Sequence, residues 1–105
     1  MKNSIASLVF IALLALSSNA MAHTPLFTCI DNGDNSITCE GGFSDGSSAA
    51  NVPVRVLDES GKALIESALD KNSEVTFARP QAAFTVLFDA GQGHTVSVPG
   101  SKIVK

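Results

Sequence analysis

Two histidines and two cysteines carry most of the chemistry open to this chain of 105 residues. His23 directly follows Ala20-Met21-Ala22, a small-x-small pattern at which export signals are cut. Cleavage after Ala22 makes His23 the first residue, and its α-amine and imidazole Nδ1 can then close a ring on one metal ion. An α-amine with a pKa of about 7.7–8.0 is partly free to coordinate at neutral pH. Pro25 removes a rival mode. Cu(II) and Ni(II) at chain starts recruit successive backbone amides, and proline has no N–H to give. Further ligands must then come from elsewhere in the fold. His94, in "GQGH", is the only other histidine, and Asp31, Glu40 or a cysteine are the other candidates for the third place. Two readings compete with this one. Cleavage after Ala20 would start the chain at Met21 and abolish the chelator, and His94 could do no more than cap a strand.

Cys29 and Cys39 are two in number, with none left over. In an exported protein a disulfide is the default. They lie symmetrically in "FTCI-DNGDNS-ITCE", which reads as a hairpin with the cysteines opposite each other. Closing so short a loop stabilises a fold by about 3 kcal/mol on the chain-entropy model. The alternative makes them soft thiolate ligands for Cu(I) or Zn, although their spacing is not that of a zinc finger. Asp31, Asp34 and Asp45 around glycine turns invite a calcium reading, but the stretch lacks the acidic run and the closing Glu of an EF-type loop. Asx-turn chemistry explains them more simply, while Asp31 and Glu40 remain candidates to hydrogen-bond a ligating histidine. No G-x-S-x-G elbow occurs, and two histidines make a hydrolase triad improbable, so no enzyme is expected.

These residues sit on a recognisable frame. Residues 1–22 read as a signal peptide: Lys2, then the apolar "IASLVFIALLALS", then the cleavage site. That apolar run is about a dozen residues, short of the ~20 needed to cross a bilayer as a helix. No cysteine follows the cut to carry a lipid, so a periplasmic or secreted protein without a membrane anchor is expected. Residues 23–50 hold the cysteine hairpin and a Gly/Ser-rich connection, "GGFSDGSSAAN", read as flexible rather than as a strand. Residues 51–105 form the body and a short tail. "NVPVRVL", "KALIES", "EVTFA", "AFTVLFD" and "HTVSV" alternate apolar and polar residues between turn signals, which predicts an all-β sandwich or barrel. Val54, Val56, Phe77, Phe84, Val86 and Phe88 are the expected core, and residues 51–99 are expected to supply both sheets. "GKALIESALDK" could instead form a short helix.

Composition excludes some partners. Seven Lys and Arg against ten Asp and Glu give a formal net charge of −3, and loss of Lys2 makes the domain more acidic. Nucleic acid is therefore a poor partner, because phosphate binding needs concentrated basic residues. The absence of Tyr and Trp weakens a carbohydrate or peptide platform.

"VPVRVLDESGKAL" followed by "EVTFARPQAAFTVLFDAGQGHTVSV" resembles the small transthyretin-like, carboxypeptidase-regulatory-like β-sandwich domain over residues 51–99. The domain carries no common activity. The pattern is also similar to periplasmic accessory proteins of nickel and cobalt uptake, which implies a metal ion as ligand and a membrane metal transporter as recipient. In one feature, an amine with two imidazoles, the chain also resembles histidine-brace copper proteins. The expected function is transition-metal binding (copper, or nickel or cobalt) at His23 with His94, for buffering or delivery. The alternatives are a structural or adhesive sandwich without metal and a histidine-brace copper oxidase.

Overall fold

In the computed structural model, which describes residues 24–105, the alternating segments become seven strands. The signal segment, its cleavage site and His23 lie outside the described residues. The strands are β1 (Pro25–Asp31), β2 (Ser36–Phe43), β3 (Pro53–Leu57), β4 (Ala63–Ala68), β5 (Glu74–Ala78), β6 (Thr85–Asp89) and β7 (Thr95–Pro99), followed by a short 3-10 turn at Gly100–Lys102. They form two antiparallel sheets, ordered β1-β2-β5 and β4-β3-β6-β7. The fold is all-β, and "KALIES" is a strand, not a helix.

The core lies between the sheets, built by the inward residue of each alternating pair. Ile37, Cys39, Val54, Val56, Leu69, Val86 and Phe88 are the largest fully buried side chains, with Phe27, Phe77 and Phe84 beside them. All six expected core residues are buried. The Phe27 ring stacks on Phe88 with centroids 5.0 Å apart. Leu69, just beyond the end of β4, is also core.

Two expectations are corrected. Residues 51–99 do not make both sheets: four of their strands form one sheet, and β5 leaves them to pair with β2 of the hairpin. The body would expose one apolar face without the hairpin, and Phe27, Ile37 and Cys39 cover it. Second, β2 continues through Gly41, Gly42 and Phe43 instead of ending in a flexible connection. A Cβ on Gly41 would lie 2.7 Å from Leu69 Cδ1 and 2.9 Å from Phe88 Cε1, so glycine here permits close packing. The connection beyond it is tied down as well. Ala49 is fully buried, and its N–H donates to Ser73 Oγ at 3.1 Å.

Cys29 and Cys39 face each other in the β1–β2 register, Cα atoms 4.0 Å apart, and are joined as a disulfide. The thiolate-ligand alternative is thereby overturned, because each sulfur is bonded to the other and the described residues include no free cysteine.

Candidate functional site

The described chain begins at a fixed point. Thr24 N–H donates to Ser44 Oγ at 3.1 Å, and Ser44 N–H donates to the Thr24 carbonyl at 2.9 Å. These bonds continue the β1–β2 ladder one step past the Pro25–Phe43 pair. Residue 24 is therefore held against the end of β2, and whatever precedes it departs from there.

His94 stands in the turn between β6 and β7. Ala90 N–H donates to the His94 carbonyl at 3.1 Å, and His94 N–H to the Gly91 carbonyl at 2.9 Å. Gly91 (φ 114°) and Gly93 (φ 79°) occupy backbone conformations that side chains disfavour, which is why this turn is written with glycine. Asp89 anchors its base: Oδ1 accepts from Gly91 N–H at 3.1 Å, and Oδ2 accepts from Arg55 at 2.9 Å. The Gly91 N–H, followed by the Arg55 guanidinium, holds the Asp89 carboxyl below the ordinary aspartate range.

The imidazole itself is exposed, with Nδ1 3.2 Å from the Gln92 carbonyl. A carbonyl only accepts, so in this bond Nδ1 carries the proton. In the neutral ring the lone pair then lies on Nε2 of this exposed side chain, an arrangement commonly found in metal-ligating histidines.

Thr24 and His94 lie at the same end of the sandwich. Phe88, next to the end of β6, stacks on Phe27 near the start of β1, approaches Phe43 at 6.1 Å, and is paired with Val96 near the start of β7. At the far end, the chain beyond β7 meets the end of β1, where Asp31 N–H donates to the Val104 carbonyl at 3.0 Å. Strands β1 and β7 therefore start together and finish together.

No family model, curated protein or solved structure matches this chain.

The other sequence candidates are dispersed. Asp31 lies at the opposite end of the seven-residue β1, roughly 20 Å from its start. It accepts from Gly33 N–H and from Arg79, so it is no partner for His94. Glu40 lies on the exposed face of β2, opposite Thr28 and Glu74. Among the described residues no three of His, Cys, Asp and Glu converge as a metal-binding group.

Sequence reasoning passed over Arg79, which organises the far end. Its Nη1 donates to Asp31 Oδ2 at 2.9 Å and to the Ile103 carbonyl at 3.3 Å, and its Nη2 to the Gly100 carbonyl at 3.1 Å. The guanidinium lies 5.4 Å from the centre of the Phe84 ring. Its partners are 48, 24 and 21 residues away in sequence. No local pattern could reveal that convergence. A cleft of about 440 Å³ opens beside it, lined in part by Phe84, Pro99 and Gly100, but three donor bonds of Arg79 are already committed within the fold.

Proposed function

We propose that this is an exported protein, periplasmic or secreted, that binds one late transition-metal ion at the amino terminus created by cleavage after Ala22. The α-amine and Nδ1 of His23 form the chelate, and His94 supplies the third nitrogen. Copper is the first choice by ligand type, with nickel or cobalt next, and the bound ion is buffered or passed to a membrane metal transporter. The resemblance to transthyretin-like domains and to nickel and cobalt accessory proteins belongs to the same proposal. The two-sheet all-β architecture and the disulfide are compatible with it.

One observation carries the reading: residue 24 is pinned at the end of the sandwich where the exposed imidazole of His94 stands. A chelating residue attached there starts at the correct end of the molecule. The Thr24 amide is engaged by Ser44 and Pro25 has none, so backbone nitrogens are poor rivals to a second imidazole. A structural or adhesive role is the second reading, favoured by Leu26 and Ile30, which stand exposed on β1.

The test is calorimetric titration of Cu(II) and Ni(II) into the native protein, a variant with one glycine added before His23, and His94→Ala. The native protein should bind one ion, more weakly as pH falls, because amine and imidazole must lose protons to coordinate. The added glycine separates amine from imidazole and should cut affinity sharply with the melting curve unchanged. Equal affinity in the extended protein would show that His23 is an accident of processing.

A further inference from the structure

Among the described residues the outer edge of β1 pairs with no strand, and its donors are unevenly distributed. The bonds Ser44 N to Thr24 O and Asn32 N to Ser36 O show that even-numbered residues of β1 turn their backbone groups toward β2. Odd-numbered residues point away, as Asp31 does in donating to Val104 O. Pro25 has no N–H. That leaves Phe27 and Cys29 with N–H and carbonyl groups aimed off the sheet, where among the described residues no strand is hydrogen-bonded to β1. β7 packs nearby from the other sheet but shares no ladder with β1. The apolar surface gathers at the same edge. Of the four large hydrophobic side chains exposed among the described residues, Leu26 (52%) and Ile30 (55%) lie on β1, and Val104 (67%) belongs to the tail residue bonded to it.

We propose that two copies of this chain pair antiparallel through β1, with Thr28 on the two-fold axis. In this register Phe27 of each copy exchanges both backbone bonds with Cys29 of the other, so every free donor of the edge is used. On the outer face Leu26 meets Ile30 of the second copy, an apolar cross-strand pair made twice by symmetry. The ladder stops at residues 26 and 30, because Val104 already occupies the Asp31 amide and Pro25 offers none.

Charge favours the β1 edge over the β4 edge of the other sheet, and the pairing does not depend on the metal reading. The β4 edge is guarded against such pairing. Strand β4 carries exposed Glu66 in mid-strand, which a two-fold axis there would set against its own charge. An edge contact of this size falls below the roughly 1,600 Å² of a standard stable interface, so the dimer is weak and reversible.

The experiment is sedimentation equilibrium of the exported protein over a concentration series, with Leu26→Lys/Ile30→Lys and two variants that each add one cysteine. The native protein should dimerise reversibly. The double lysine variant should weaken this about tenfold or more with an unchanged melting curve, since both side chains face solvent in the monomer. Thr28→Cys places one thiol against its twin and should give a covalent 28–28 dimer, mapped by non-reducing mass spectrometry. Leu26→Cys lies opposite residue 30 and should cross-link far more slowly. A native protein that stays monomeric through the millimolar range overturns the proposal. So does a dimer indifferent to both lysines, or cross-linking through position 26 as fast as through position 28.

Discussion

At one end of the sandwich a single side chain, Arg79, ties together the end of β1, the start of β6 and the carboxyl-terminal tail through Asp31, Phe84, Gly100 and Ile103. At the other end polar bonds join elements in pairs, with Arg55 of β3 donating to Asp89 of β6 at 2.9 Å. Thr24 and Ser44 exchange two bonds, and His94 reaches only back to Gln92 in its own turn. Polar bonds hold the fold at both ends, but the His94 side chain takes no part in joining one strand to another. That imidazole is exposed and, among the described residues, bonds only to the carbonyl of Gln92 in its own turn. Side chains committed to several internal partners are poor candidates for ligand chemistry, and an exposed one set on a rigid glycine turn is a better one.

The largest effect that would sharpen this contrast is expected at Phe84. It is buried beneath Arg79, and a Cβ on Gly100 would meet its ring at 2.6 Å. Phe84→Ala should destabilise by ~3–5 kcal/mol in a denaturant melt. A loss below about 1 kcal/mol would mean that the latch end is not part of the core.

Next in size is the latch itself. Arg79→Met keeps the stem but removes an ion pair and two bonds to carbonyls, and should cost about 2 kcal/mol. His94→Ala, at the other end, should stay within about 0.5 kcal/mol while lowering copper affinity. Similar stability losses for the two variants would erase the difference between the ends.

Acid should produce the smallest and most graded effect. Asp34 and Asp58, in turns at the latch end, are held below the ordinary aspartate value first by the hydroxyls of Ser36 and Ser60. Asp89, beneath the His94 turn, is lowered first by the Gly91 N–H. Depressed folded values mean that the stabilisation is complete above the unfolded pKa of about 3.9 and is lost as pH falls through the folded values. Carboxyl shifts followed by NMR should show all three aspartates titrating below that value. Asp89 titrating at the ordinary value would show that the turn carrying His94 is not locked.

Much of the frame was legible because strand alternation and Asx turns are local. Val54 and Val56, or Phe84, Val86 and Phe88, share a face by period two alone, and Cys29 and Cys39 oppose each other because the "DNGDNS" turn centres the hairpin. Gly41 and Gly42 misled for a local reason too. Glycine reads as flexibility unless the packing of Leu69 and Phe88 against the strand is known.

By itself the sequence determined the strands, their inward faces, the disulfide pair and the residue types able to hold a metal. Only the tertiary structure decided that β5 joins the cysteine hairpin instead of its sequence neighbours, that Arg79 gathers partners from three distant segments, and that Thr24 and His94 share an end. The reason is one of range. Alternation and turn chemistry act over a few residues, whereas sheet partnership is chosen by which apolar faces must cover each other once all seven strands are present.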